Sequence, residues 1–569
     1  MPTHHTPIHL AVAEAVAARA GVAATNLKVE VPPRPELGDL AVGCFGIAKA
    51  AGTHPAQVAK ELADGFTPGG FIASANAAGP FVNVQLDRAA AFRWIADACL
   101  RGTLIPNQVG TGKTICIDYS SPNISKHLAY HHIRGTTLGR ALVHIFRALG
   151  YTVVGINFLG DWGTTHGMVI AAYEKWGADE PLDVTKLNDL YTRFRAAMKD
   201  NPAVEQEGRD AFKRLEAGDP EVRALWQRFR DISWAEFEEV YKILGIKFEE
   251  VRGEAAYEPD MPRVLAELAP MITESEGAQV VELEGEKQPI LLVTKDGTTL
   301  YATRDVAAAE YRWNTFHFTR SLYVVDRGQA HHFRQLFKLL KKAGHAWAEH
   351  CEHVPYGLIR VAGKKTTTRL GGVVLMRDVF KIAEAEVREI IATVNPDLPA
   401  AVVDNVAPKI GIGAVVFANL ATQRDKDIDF DLEKAVSLEG DSGPYIQMAH
   451  ARCASIARKA GESITSVEGV DFSLLTHDAE WAVAKKLLDF PDIVVRAADN
   501  GEPHGVAHYL LALASEFSRW YTQGNGDPGL RVIVDDPPLR RARLALVAAV
   551  QATFATGLGL LGIAAPDQM

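Results

Sequence analysis

The period of the hydrophobic positions changes several times along the chain, and each change predicts an element. TICIDYSS, residues 114–121, opens with a short apolar run of the kind that parallel sheets bury on both faces. After a polar turn, Leu138, Ala141, Leu142, Ile145 and Leu149 recur at helical spacing and give one apolar helix face. Gly150 stops that helix, and YTVVGINFLG supplies a second strand. Such crossovers are right-handed and build parallel sheets. The turn after the first strand then lies at the carboxyl edge, where open α/β sheets take ligands.

The same reading organises the remainder. Residues 1–106 alternate helical segments with the proline-rich VPPRPELGD and close on AGPFVNVQL, whose period-two alternation predicts a strand, so a small α/β domain is expected. From about residue 170 to 275, Trp, Arg and Glu fall at helical spacing and predict a helical insertion. PILLVTKDGTTLYATRD predicts a hairpin turning at Asp296-Gly297, then a helix through Ala307 to Trp313. SLYVVDRG predicts another buried strand, and HHFRQLFKLLKKAG an amphipathic helix ending at Gly344. Residues 107–400 thus form a strand-helix core around the insertion. From 401 to 569 strand signals nearly vanish, and HYLLALASEFSRWY and LRRARLALVAAVQATFATGLGLLG predict an all-α helical bundle.

Composition narrows the function classes. With 569 residues, 47% of them apolar, the chain has material for more than one core. Its five cysteines, Cys44, Cys99, Cys116, Cys351 and Cys453, form no C-x-x-C pair, which argues against a zinc site or a disulfide framework and for a reducing compartment. Glu14 and Arg19 interrupt the Ala-rich start, and no run of 18 uncharged apolar residues follows, so a soluble cytoplasmic protein without a membrane partner is expected. A net charge of −10 disfavours nonspecific nucleic-acid binding yet leaves room for a local basic face.

The stretch SSPNISKHLAYHHIRG, residues 120–135, concentrates imidazoles and an ammonium at the mouth of the predicted helix. Unpaired N–H groups and a partial positive charge make a helix N-terminus a phosphate seat. Lys126 and His132 flank it and can donate to phosphate oxygens as charge develops on them. Taken alone, the stretch is equally consistent with surface polar residues at a helix start.

Six blocks in order decide between these. SSPNISK at 120–126, NFLGDWGTTHG at 157–167, LYATRD at 300–305, YVVDRGQAHH at 323–332, LEGDSGPYIQMAHAR at 438–452 and the closing GLGLLGIAAPDQM resemble class I aminoacyl-tRNA synthetases, specifically the arginyl-tRNA synthetase family. VPPRPELGD and AGPFVN resemble the domain this family carries ahead of its core. The resemblance implies a Rossmann-like catalytic core, an anticodon-reading bundle, ATP and L-arginine as substrates with Mg2+, tRNA(Arg) as partner, activation that requires bound tRNA, and a monomer. It implies that Asp305 with Tyr301 faces the guanidinium, that Asn123 and Gln329 hold the amino acid's polar head, and that Asp118 adds negative charge. A planar cation needs such bidentate acceptors, although an Asp also commonly caps turns and helices. Lys126, His132 and Lys365 are the implied catalytic residues. Lys126, His131, His132, Gly135, Lys364, Lys365 and Thr367 are the implied ATP contacts. Phe81 and Asn83 in the first domain, and Tyr445, Gln447, Arg452 and Trp520 in the bundle, are the implied tRNA contacts; Arg540, Arg541 and Arg543 offer cations there. No metal ligands are expected. Asp161-Trp162-Gly163 reads as a structural turn, and Arg334, Lys338, Lys341 and Lys342 as a solvated face.

Two signatures depart from the family. Its His-x-Gly-His falls on Ala129, Tyr130, His131 and His132, so only the last histidine is kept. Its Lys-Met-Ser-Lys falls in GKKTTTRLGG, without the final lysine, and Lys126 occupies the place of the lysine thought to stand in. A catalytically impaired tRNA-binding paralogue with a regulatory role is the alternative these departures raise.

Overall fold

The computed structural model describes residues 4–177, 181–295, 297–361 and 374–569. The first domain is an antiparallel sheet in the order β1-β2-β4-β3, formed by β1 (Val29–Glu30), β2 (Leu40–Gly43), β3 (Ile72–Ala78) and β4 (Phe81–Leu86). Val82, Val84 and Leu86 of β4 join Ile8, Val12 and Val16 of the first helix, Pro7–Ala20, in its core.

The central sheet is wholly parallel among its described strands. It comprises β5 (Thr114–Asp118), β6 (Thr152–Asn157) and β7 (Glu250–Val251), with β11 (Arg320–Asp326) and β12 (Cys351–Tyr356), in the order β12-β11-β5-β6-β7. Between β7 and β11 a separate antiparallel sheet is formed by β8 (Ile272–Ser275), β9 (Ala278–Val281) and β10 (Ile290–Val293). Helix α1 (Ile133–Ala148) joins β5 to β6 and buries Leu138, Ala141, Leu142 and Ile145, the face its periodicity predicts. From β5 the chain proceeds to β6 on one side, while β11 pairs on the other. The strand order therefore reverses between β5 and β11, and a crevice opens at their carboxyl ends.

The insertion folds as α2 (Thr164–Trp176), α3 (Val184–Asp200), α4 (Pro202–Glu216) and the long α5 (Pro220–Leu244) around a core of Trp162, Leu187, Phe194, Phe212 and Phe229. Trp162 is buried edge-on against Phe212 and Trp226, and Asp161 accepts from Ala255 N–H, so the Asp-Trp-Gly turn is structural as expected. The helix predicted through Ala307 to Trp313 is longer, α6 (Tyr301–Phe316), and α7 (Ala330–Lys342) matches its prediction. The basic face of α7 is not freely solvated: Arg334 and Lys338 both engage Glu286, and Lys342 donates to the Glu282 carbonyl.

Helices α8 (Met376–Val394) and α9 (Ala400–Leu420) form a hairpin, followed by α10 (Gly443–Ala460), α11 (Asp478–Asn500), α12 (His504–Gly526) and α13 (Pro537–Leu560). Strand pairing continues past residue 400, because β14 (Ile428–Phe430) lies parallel to β13 (Ile359–Val361). Ala400–Leu420 and Pro537–Leu560 are long and apolar enough to cross a membrane, but 50% and 67% of their most apolar windows are buried inside the bundle. All five cysteines are buried free thiols.

Candidate active site

The turn after β5 is held by side chains from three directions. Ser120 Oγ lies 2.8 Å from Thr136 Oγ1 on α1 and 2.9 Å from Tyr241 Oη on α5. Ser125 N–H donates to Ser233 Oγ of α5 at 2.9 Å, and Ile124 N–H donates to the Gly160 carbonyl. Such stapling is needed because Ser120, Ser121 and Ser125 all have positive φ, 69°, 38° and 63°. Left-handed backbone costs an L-residue about 1 kcal/mol or more, and it persists only where the surroundings enforce it. Asn123 stands exposed at the tip, where Gly160 makes room for it: a Cβ there would lie 1.9 Å from Asn123 Oδ1.

This turn delivers the chain to the α1 mouth. His132 is the N-cap residue and makes no side-chain cap; the 3-10 turn Tyr130–His132 runs straight into α1, so His132 N–H donates to the Ala129 carbonyl and Ile133 N–H to the Tyr130 carbonyl, and the helix offers an anion chiefly its positive end. The His132 Nδ1–H donates to the Ala129 carbonyl at 3.1 Å, which leaves Nε2 for a ligand. Burial, then the neighbouring His131 and Lys126, push the imidazole pKa down to about 4, so the resting ring is neutral. It becomes a donor at Nε2 only when an arriving anion raises that value and a proton is taken up. His131 is exposed, its ring centroid 4.1 Å from that of His132. Lys126 Nζ rests 4.8 Å above the Tyr191 ring of α3, a cation–π contact it must leave to reach a phosphate. His166 on α2, also near Lys126, is kept neutral by burial. His127 is committed elsewhere, with Nδ1 2.8 Å from Glu236 Oε1 of α5.

Across the crevice, the first turns of α6 and α7 make an acidic corner. His332 Nε2–H donates to Asp305 Oδ2 at 2.6 Å, and Tyr301, 53% exposed, meets the His332 ring edge-on at 4.7 Å. Gln329 is exposed one residue before α7. Glu254 adds a second carboxylate. Burial pushes its pKa up to about 7 against the pull of Arg304, whose Nε donates to it at 3.0 Å, while Asp305 raises it further. Glu254 carries no marking in the sequence, since its partner Arg304 lies 50 positions on; His332 closes the YVVDRGQAHH block, but its role lies in Asp305, 27 positions earlier.

Several expected assignments are corrected by burial. Asp118 is 4% exposed and already neutralised by the buried Arg312, whose Nη2 donates to Oδ2 at 2.7 Å; Ser121 Oγ donates to Oδ1 at the same distance. Its charge holds the core of the sheet edge and is not open to a substrate. Gly135 serves packing: a Cβ there would lie 2.6 Å from Tyr356 Oη, so the tyrosine fills the face assigned to ATP. Asn83 is 2% exposed beneath the 35–38 turn, its Cβ 3.3 Å from where a Gly38 Cβ would stand; Phe81 remains half-buried, edge-on to Phe45. Trp520 is fully buried, and Gln447 is spent donating to the Ala564 carbonyl at 2.8 Å. Arg543 pairs with the buried Glu480 at 2.7 Å, Arg541 with Glu462, and Arg540 donates to the Val534 carbonyl. Tyr445 and Arg452 stay partly exposed, as do Arg540 and Arg541, and Arg452 lies 5.4 Å over the Tyr521 ring in a cleft of about 410 Å³ that also reaches Met569. Lys364, Lys365 and Thr367 fall outside the described residues.

This arrangement can bind a phosphate at the α1 mouth and a cation at the acidic corner of the same crevice. The chain as a whole resembles known proteins. A family described as tRNA synthetases class I (R), catalytic domain, matches residues 95–432; a DALR anticodon binding domain matches 446–569; an arginyl tRNA synthetase N terminal domain matches 7–86. The chain is 40% identical over 549 residues to an arginine–tRNA ligase of Clostridium botulinum, covering 95% of this chain and 96% of that one. It is 42% identical over 548 residues to one of Exiguobacterium sibiricum, covering 95% of each. The Thermus thermophilus arginyl-tRNA synthetase structure superposes with a TM-score of 0.80 at 28% identity, covering 98% of this chain and 99% of that one. With three domains matched in order and relatives aligned almost end to end, the chain belongs to the arginyl-tRNA synthetase family of class I aminoacyl-tRNA synthetases.

Proposed function

We propose that the chain is an arginine–tRNA ligase acting as a cytoplasmic monomer, with a tRNA-contacting domain over 1–106, a catalytic domain over 107–400 and an anticodon-binding bundle over 401–569. The arginine carboxylate attacks the α-phosphorus of ATP and pyrophosphate leaves; the 2′-hydroxyl of the terminal tRNA adenosine then attacks the adenylate carbonyl and AMP leaves. The positive end of α1, Lys126 and His132 stabilise the phosphoryl charge of the first step, and His131 sits beside them for the nucleotide. Lys364, Lys365 and Thr367 are proposed to approach the same phosphates. Asp305, oriented by His332, takes the guanidinium with Glu254 and Tyr301 beside it, while Asn123 and Gln329 take the amino acid's head. Tyr445 and Arg452 are the proposed bundle contacts to RNA, and Phe81 the proposed contact of the first domain.

Magnesium enters with the substrate as Mg–ATP. Among the described residues the α1 mouth offers imidazoles and an ammonium, and Glu236 is engaged by His127, so none of these residues forms a carboxylate cradle at the mouth. The observation that carries the reading is the joint presence, at one switch-point crevice, of a phosphate seat and a carboxylate, Asp305, oriented by His332. An impaired paralogue would have no use for both. Charging assays with all twenty amino acids, with and without tRNA, test it: arginine alone should be esterified, and ATP–pyrophosphate exchange should require tRNA. Asp305→Asn should cost about 3 kcal/mol in arginine recognition. Unchanged arginine KM and kcat in that variant would refute the assignment.

A further inference from the structure

Arg140 lies on α1 about 12 Å beyond His132, at 1.5 Å per residue. Its Nε and Nη1 are buried without a hydrogen-bond partner. Arg312 and Arg134 also hold buried nitrogens without partners, but each has an acceptor elsewhere on its guanidinium, Asp118 for Arg312 and the backbone carbonyls of Asn419 and Gln423 for Arg134, and Arg543 meets Glu480. Arg140 instead opens on a cleft of about 330 Å³ between α1, the end of α5, α9 and the turn after α13. Lys242 and Lys409 also line it, both exposed, together with His144. No carboxylate does, among the described residues.

The cleft is shaped around the guanidinium by two glycines. A Cβ at Gly562 would lie 2.5 Å from Arg140 Cζ, and one at Gly245 3.4 Å from Nη2; any side chain at 562 would displace the arginine. His144 adds no charge: its Nδ1–H donates to the Gly559 carbonyl at 2.9 Å, and burial with the nearby Arg140 lowers its pKa to about 4. Burial also lowers Arg140 itself to about 10, with the Tyr119 hydroxyl the sole group acting the other way. Lys409 Nζ donates to Asn405 Oδ1 at 2.8 Å and keeps two protons free for another acceptor. A half-buried cation without a counter-charge is unfavourable unless an anion joins it.

We propose that this cleft is an anion site that takes a phosphate group, with Arg140 at its floor and Lys242 and Lys409 at its rim. Three cations from three separate helices converge on one volume, which suits a tetrahedral dianion offering acceptors in several directions better than a planar carboxylate. The same phosphate chemistry comes from an RNA backbone or from a free phosphate compound, and two arms of one experiment separate these sources.

The first arm follows thermal unfolding of the full chain during titration with inorganic phosphate, and does not depend on the ligase reading. Wild type should gain stability with phosphate, and Arg140→Met should lose at least four-fifths of that gain. Arg140→Met removes a charge that has no partner, so its own melting temperature should be unchanged or higher. Lys242→Ala, on the exposed rim, gives a second variant that cannot unfold the core. Lys126→Ala serves as the control for phosphate held at the α1 mouth. The second arm measures tRNA affinity against salt. A phosphate of the RNA backbone in the cleft would lower the log–log slope by about 0.7 to 1 for each cation removed. A reduced slope assigns the site to RNA; a lost thermal gain at an unchanged slope assigns it to a free phosphate compound. If Arg140→Met and Lys242→Ala match wild type in both arms, the proposal is overturned.

Discussion

The crevice and the helical bundle use the same polar vocabulary to opposite ends. At the crevice, Asn123, Gln329 and His131 stand exposed, and the backbone behind them is held in left-handed geometry at three serines. In the bundle, Gln447, Arg543 and Trp520 sit inside: Gln447 donates to the Ala564 carbonyl and Arg543 engages Glu480 and the Arg531 carbonyl, while Gln447 Oε1 and Trp520 Nε1 are enclosed without a partner. A polar group already paired at rest specifies how helices dock. One left open beside a strained turn is available to a substrate. Enclosure by neighbouring helices, more than residue type, separates the two regions.

The largest expected effect tests the bundle side. Trp520→Ala should cost about 3–5 kcal/mol of unfolding free energy, measured by urea melts, while discrimination among anticodon variants at low temperature stays as in wild type. Selective loss of discrimination with unaltered stability would return Trp520 to an RNA-facing role. Next comes the crevice side. Lys126→Ala should lower tRNA-dependent ATP–pyrophosphate exchange about a hundredfold with little change in arginine KM and none in melting temperature, the signature of an interaction made in the transition state. Normal exchange would mean that Lys126 belongs on Tyr191 permanently.

The smallest effect is a pH dependence that only the crevice should show. Glu254, raised to about 7, is partly protonated at rest, whereas a bound guanidinium needs it ionised. Arginine affinity should therefore rise with pH up to about 7 and approach a tenfold change per unit well below it, with proton release seen by calorimetry in buffers of different ionisation enthalpy. The sign for folding is the reverse: a raised pKa contributes stability that is complete below the unfolded value and lost as pH climbs through about 7. Glu254→Gln should remove both dependences.

The parallel unit around α1 was readable because its apolar positions repeat at one period over enough residues to fix a face, and the Ser-Pro-Asn turn because its residues are contiguous. Asp118, Asn83 and Trp520 were readable as chemistry and misjudged as exposure. Nothing in the text near Asp118 announces Arg312, which arrives 194 positions later on α6 to occupy its carboxylate. Trp520 follows the same helical period whether it faces RNA or the core. Gly135 was taken for a nucleotide contact, although its missing Cβ accommodates Tyr356 from a strand more than 200 residues on. In each case the missing information was which element packs alongside, and that is set by topology.

The staples on the Ser-Pro-Asn turn also carry a statement about time. Ser125 waits for Ser233, His127 for Glu236 and Ser120 for Tyr241, each on α5 and each more than a hundred positions downstream. A chain emerging from its amino end completes β5, α1 and β6 long before α5 exists, and until then Ser121 has its bonds to Asp118 and Phe158 and Ser120 its bond to Thr136, but Ser125 lacks Ser233 and Ser120 lacks Tyr241. Folding is thereby ordered: the scaffold first, the reactive mouth last, so an unfinished chain has the sheet without a preorganised place to hold a nucleotide.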